Sequence, residues 1–211
     1  MNIDQLHIIR QIFEAPLPGS KAHAFMARNL NRANLQVPDN VKLAAVMLLL
    51  FPNDKDELQI TLTERSKSHG RDSHSGQMAF PGGKKDPGDS DLEFTAIRET
   101  KEEVGIDPSQ LEVLGALTTL YIPVSNFLVH PYVGYIDHTP SFEKEEREVA
   151  EIITCGLSDL ITYETPSTTE IKIGPSLRLK DVPYFDIQGK VVWGATSMIL
   201  QEFLMAVRAQ L

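Results

Sequence analysis

Only one of the 211 residues is cysteine, Cys155, and only one is tryptophan. A lone thiol excludes a disulfide framework and a cysteine-built zinc site, and it fits a reducing compartment. Cations are outnumbered, with 20 Lys and Arg against 29 Asp and Glu and a net charge of −9. A broad nucleic-acid footprint needs a basic surface, which argues against nucleic acid as a partner. Long hydrophobic runs are missing too. The longest, Leu43 to Phe51, has nine residues, where a membrane helix needs roughly 20. The opening MNIDQLHIIRQIFE has no signal-peptide core. The expectation is a cytoplasmic protein that does not bind membranes. Three catalytic signatures are absent as well: the G-x-x-x-x-G-K-[ST] phosphate loop, the H-E-x-x-H zinc helix and the G-x-S-x-G nucleophile elbow.

What is present is an ordinary globular composition, 42% hydrophobic and 23% charged, enough for one domain with an extension. Ile3, Leu6, Ile9 and Ile12 recur at helical spacing up to about Phe13. Pro16, Pro18 and Gly19 interrupt that pattern, and a second helix is expected from Ser20 to Asn31. Pro38 marks the entry to the main domain. The division is therefore an N-terminal helical extension, residues 1–36, and a domain over 37–211.

Strand signals begin at Lys42. The run to Phe51 reads as a strand buried on both faces, and Glu57–Thr63 alternates apolar with polar residues. Asn53, Asp54 and Asp56 make these two a hairpin. Shorter strands are expected at Gln77–Phe80, Glu112–Tyr121, Phe127–Ile136 and Glu148–Thr154. The strongest helix runs from Asp91 to Val104, opened by a Ser90/Glu93 capping box and stopped by Gly105 and Pro108. A second runs from Ala195 to Ala209, with Met198, Leu200, Phe203, Leu204 and Val207 as an apolar core stripe. Trp193 and Tyr184 are read as core aromatics ahead of adenine stackers, and Cys155 as a small buried hydrophobe. The mixture is an α+β or α/β/α arrangement.

The chemistry lies in Arg98-Glu99-Thr100-Lys101-Glu102-Glu103. On a helix, Glu99, Glu102 and Glu103 project within an arc of about 100°. Like charges so placed repel one another, and a divalent cation offsets the repulsion. The alternative is a solvated acidic face screened by Arg98 and Lys101. Upstream, Phe80-Pro81-Gly82-Gly83 leads into this helix. Two glycines let backbone approach a ligand closely, and Lys84 and Lys85 add positive charge.

Gly83 through Ile106 resembles the Nudix box, G-x5-E-x7-R-E-U-x-E-E-x-G-U with U aliphatic. Thr100 occupies an aliphatic site of that pattern. Fourteen residues separate Gly83 from Arg98, one more than the general pattern. Three acidic residues, Asp86, Asp89 and Asp91, compete for the place of the early glutamate. The lengthened box is similar to the coenzyme A diphosphatase branch. Leu62-Thr63-Glu64-Arg65-Ser66 and His74-Ser75-Gly76-Gln77-Met78-Ala79-Phe80-Pro81-Gly82-Gly83 resemble that branch's L-L-T-x-R-S…H-x-G-x-x-x-F-P-G-G motif. Tyr184-Phe185 and Trp193-Gly194-Ala195-Thr196 look like its C-terminal segment.

The resemblance implies a Nudix-type α/β/α sandwich with a mixed central sheet. It implies hydrolysis of the diphosphate of coenzyme A or its thioesters, with Mg²⁺ or Mn²⁺, to 3′-phosphoadenosine 5′-phosphate and 4′-phosphopantetheine or its acyl form. By the same resemblance Glu99, Glu103 and Glu102 are metal ligands, joined by the Gly83 carbonyl, while Arg98 orients glutamates. The general base is Glu99 or a glutamate of the 143–151 cluster, for which a solvated loop is the plainer reading. Arg65, Lys67, Arg71 and His74, with the Gly82 backbone, are candidates for substrate binding, since arginine forks and lysines suit phosphate. His7, His23, His130 and His138 fit no metal spacing and are read as structural. Two other functions compete: a Nudix hydrolase of ADP-ribose or NADH, and a Nudix module that senses nucleotides without turnover. The N-terminal helices are expected to serve as a homodimer interface or a lid.

Overall fold

The computed structural model describes residues 1–27, 35–66, 76–163, 165–173 and 177–211. Its centre is an eight-stranded mixed sheet built around β1 (Lys42–Pro52) and β2 (Leu58–Arg65). Alternate residues of β1 serve two different cores, which explains its continuous apolar run. Ala45, Met47, Leu49 and Phe51 face one layer, while Leu48 and Leu50 face the other.

β1 and β2 pair only at their hairpin end, Leu50–Pro52 with Leu58–Ile60. Beyond it they diverge, and the segment carrying β3 (Met78–Ala79) and β4 (Gly82–Lys84) lies between them. β3 pairs with the far end of β2, and β4 with the start of β1. Pro81 sits at the junction, its carbonyl accepting from the Met47 N–H at 2.8 Å. The glycine segment is thus built into the sheet. On the other side of β1, β7 (Phe127–Tyr135) runs parallel over nine register pairs. The single strand expected over Glu112–Tyr121 is two, β5 (Glu112–Ala116) and β6 (Leu120–Ile122), both antiparallel to β7. β8 (Val149–Gly156) borders β2.

One face of the sheet is covered by α3 (Leu92–Val104), whose Ala96 and Val104 are buried against it. The other is covered by α5 (Gly194–Arg208), α4 (Leu157–Ile161) and the N-terminal α1 (Leu6–Gln11) and α2 (Ser20–Met26). α1 is shorter than its apolar spacing suggested because 3₁₀ turns, Ile3–Gln5 and Ile12–Glu14, flank it. Ile9, Ile12 and Met26 join the same core as α5, where all five expected stripe residues are buried. The layering is the α/β/α sandwich.

A small three-stranded sheet, β9 (Ser167–Ile173), β10 (Leu177–Ile187) and β11 (Lys190–Trp193), was not foreseen. It leads directly into α5. Lys190 Nζ ties it to the central sheet, donating to Glu64 and Glu151 at 2.7 Å each. Among the described residues no helix is long and apolar enough to cross a membrane.

Candidate active site

Helix α3 carries the three box glutamates, and its ends are set by local chemistry. The N-cap is Asp91, one residue later than expected. Its carboxylate accepts from the Phe94 N–H at 2.8 Å, while Ser90 donates to Asp91 and caps nothing. Gly105 closes the helix at φ 77°, a left-handed turn that favours glycine. Thr100 fits the aliphatic position because its hydroxyl is satisfied within the helix, donating to the Ala96 carbonyl at 2.7 Å.

The three carboxylates share a face and differ in surroundings. Glu103 is 3% exposed. Its Oε2 accepts from the Gly82 N–H at 3.2 Å, and its Oε1 lies 3.8 Å from Arg65 Nη1. Burial pushes its pKa up to about 7 against the opposing pull of Gly82 and Arg65, with Glu99 and Glu148 adding to the rise. Glu99 is raised as well, again mainly by burial, with Arg98 opposing and Glu102 and Glu148 assisting. The Glu99 carboxyl lies against Gly83: a Cβ there would stand 2.6 Å from it. Glu102 is the open member, its side chain 56% exposed and held by Arg98 at 2.8 Å.

Arg98 organises this face. It meets Asp89 through two bonds, 2.9 and 3.0 Å, Glu99 at 2.9 Å and the Lys84 carbonyl at 3.2 Å. The guanidinium holds the Asp89 carboxyl well below the usual carboxylate range. Asp89 also accepts from the Thr95 hydroxyl and the Asp86 N–H. Among the three acidic residues that competed for the early-glutamate place, Asp89 is therefore the one bound to the box arginine. On sequence alone the three stay open, although the spacing carries a signal left unused there: Asp89 follows Gly83 by the six positions of G-x5-E, which puts the extra residue between Asp89 and Arg98.

The glutamates of the 143–151 segment, Glu143, Glu145, Glu146, Glu148 and Glu151, are exposed, as the solvated-loop reading has it, while the backbone of this segment is tied to the end of α3 and to β2. The Glu145 N–H donates to the Glu103 carbonyl, the Glu143 N–H to the Val104 carbonyl and the Ser66 N–H to the Glu148 carbonyl. Glu102, Glu145, Arg147 and Glu148 line an open cleft of about 390 Å³. Glu148 adds to the rise in pKa of both Glu99 and Glu103.

Of the other predicted residues, Gly82 is in β4, where a Cβ would stand 2.4 Å from the Ala45 carbonyl oxygen. Lys67, Arg71 and His74 lie outside the described residues. Trp193 and Tyr184 are half-buried, because they pair with each other on the face of the small sheet opposite to the one where Phe185 and Val192 enter the core.

Buried carboxylates whose ionised forms are disfavoured, on a glycine cradle that a side chain would fill, fit a divalent cation with oxygen ligands. Among the described residues no three His, Cys, Asp or Glu side chains are gathered at ion-holding spacing; Glu102 is turned to Arg98.

The NUDIX domain family profile matches residues 41–172. The uncharacterized Nudix hydrolase NudL of Photorhabdus laumondii is 34% identical over 187 residues, covering 85% of this chain and 96% of that protein. Its counterpart in Yersinia enterocolitica is 32% identical over 194 residues, covering 89% and 96%. A crystal structure of a MutT/nudix family protein from Enterococcus faecalis shares the fold, with TM-score 0.53 over 97% of this chain and 74% of that one at 19% identity. The chain belongs to the Nudix family and is a Nudix hydrolase, a class that acts on pyrophosphate bonds and generally uses divalent metal ions.

Proposed function

We propose that this Nudix hydrolase cleaves the diphosphate linkage of coenzyme A and its thioesters, with Mg²⁺ or Mn²⁺. The observation that carries the reading is the meeting of Arg65 with Glu103. The first half of the upstream motif that resembles the coenzyme A branch lies at the end of β2, and its arginine is directed at the most buried carboxylate of the box. A diphosphate beside those carboxylates would meet that guanidinium.

Glu99, Glu103 and Glu102 would hold the cation, with the Gly83 carbonyl as a further oxygen donor. When bound, the ion supplies charge neutralisation for the diphosphate and lowers the pKa of a water at the site. The side chains do the rest. Arg98 is a positioning residue that fixes Glu99 and Glu102 against Asp89. Arg65 offers a fork that binds phosphate oxygens. Glu148 is the general base we favour, because its charge adds to the rise at both Glu99 and Glu103 while it stays exposed to solvent. Its carboxylate would accept the proton of the attacking water.

The test is product chromatography after incubating the protein with coenzyme A and Mg²⁺ or Mn²⁺, with and without chelator. Cation-dependent release of 3′-phosphoadenosine 5′-phosphate and 4′-phosphopantetheine supports the reading. Intact coenzyme A alongside hydrolysed ADP-ribose or NADH overturns it.

A further inference from the structure

A second cleft, of about 570 Å³, begins where the carboxylate site ends. This lies within the roughly 300–1,000 Å³ of ligand-binding pockets. Gly82, Gly83, Lys84 and Arg65 form its near end, and Gly82 and Gly83 are the residues against which Glu103 and Glu99 rest. The far walls come from other parts of the chain. Leu120 and Ile122 of β6 and Val124 beyond it form one side. Trp193 and Met198 stand at the start of α5, with Leu179 of the small sheet.

Charge is distributed unevenly along this cleft. Its only charged lining residues among those described are Arg65 and Lys84, both cations and both at the carboxylate end. Further in, two polar lining groups are occupied by the protein itself. The Tyr121 hydroxyl donates to Asn126 at 3.1 Å, and the Thr196 hydroxyl donates to the Met78 carbonyl at 2.9 Å. A second nucleoside or sugar placed there would leave its hydroxyls against apolar walls, which is costly. A hydrocarbon chain loses nothing, and each methylene it buries adds up to about fourfold in affinity.

We infer that the apolar cleft takes the acyl end of a coenzyme A thioester, so that the enzyme prefers acylated substrate to the free thiol. This rests on the coenzyme A reading and adds the substrate class to it. Cations at the mouth suit the phosphates, and the apolar interior suits the other end of the same molecule.

The experiment compares kcat/KM for coenzyme A and its acetyl, butyryl and octanoyl thioesters. It adds binding of the same compounds in chelator, followed by fluorescence of Trp193, the only tryptophan in the chain. The expected result is a rise with chain length, octanoyl exceeding free coenzyme A by about tenfold or more in kcat/KM and in affinity. Val124→Asp, at a position 65% exposed and so tolerant of change, and Leu179→Asp should each flatten the octanoyl-to-free ratio. Equal kcat/KM across the series overturns the cleft assignment and leaves the coenzyme A reading standing. A chain-length preference that both folded variants retain overturns it as well. Hydrolysis of ADP-ribose or NADH with no cleavage of any coenzyme A species overturns both.

Discussion

The Glu99 carboxyl group rests where a side chain at position 83 would begin, 2.6 Å from the place of a Gly83 Cβ. The neighbouring glycine is constrained differently. A Cβ on Gly82 would strike backbone, 2.4 Å from the Ala45 oxygen and 2.6 Å from the Val46 Cα. The two glycines thus protect different things, one a movable carboxylate and the other the pairing of β4 with β1.

Their alanine variants should separate activity from stability. Gly83→Ala displaces the end of a flexible side chain, so the protein should melt within a few degrees of wild type and lose about a hundredfold in kcat. Gly82→Ala forces strands apart and should cost about 3 kcal/mol, a melting shift of roughly 6–12 °C. Thermal denaturation and steady-state kinetics on both variants check this. Equal destabilisation by the two would contradict it.

Glu103 links folding to pH in metal-free protein. Its pKa is about 7 in the fold against an ordinary 4.5, so the folded state binds its proton more tightly than the unfolded chain. Stability from this group is complete below about pH 4.5 and is lost as pH rises through 7. Chelator-treated wild type should therefore lose up to about 3 kcal/mol relative to Glu103→Gln between pH 4.5 and 8. Urea unfolding of both proteins across that range measures the difference, and parallel pH profiles would refute it.

Asp89 has the opposite sign. Its carboxyl is held well below the usual range by Arg98, so its contribution is present above the ordinary carboxylate pKa and fades as pH falls through its folded value. Asp89→Asn should lower kcat with little change in KM, because Asp89 acts through Arg98 on Glu99 and Glu102. It should also weaken the dependence of melting temperature on acid pH. A variant with wild-type kcat would show that Arg98 holds its position unaided.

On the opposite face, Glu202 is fully buried on α5 and joins three segments. It accepts from the Gly19 and Thr118 N–H groups and lies 3.0 Å from His23 Nε2. Glu202→Ala leaves these donors buried without their acceptor, a loss of about 3–5 kcal/mol. Calorimetry should show a melting shift of roughly 10 °C.

Burial pushes the Cys155 thiol up to about 12. Native protein at pH 8 should resist alkylation by iodoacetamide, and the thiol should react once the chain is unfolded. Mass spectrometry of the two samples reads this directly.

The central sheet and both long helices were legible because apolar spacing in β1, β2, α3 and α5 is strong. The small sheet was not. Along β9, Thr168, Thr169, Glu170 and Lys172 give little apolar signal, and the strand is held by register with β10. The box glutamates were found by their spacing on one helix turn. Their separate environments were not, since burial of Glu103 and exposure of Glu102 depend on where β4 and the 143–148 segment pack. The surroundings of Glu148 and His23 are set by partners far away in the chain, which local pattern does not reveal. The capping box failed for a local reason: Asp91, adjacent to Ser90, offers the Phe94 N–H an ionised acceptor, whose hydrogen bond is charge-assisted.

The central claim is the identity of the substrate, and a competition experiment tests it most directly. Equal concentrations of coenzyme A, ADP-ribose and NADH are mixed with the protein and Mg²⁺, and the disappearance of each is followed by chromatography. The ratio of rates gives the ratio of kcat/KM values without separate calibration. The account predicts that coenzyme A is consumed first, by a margin of about tenfold or more. Faster consumption of ADP-ribose or NADH would contradict it.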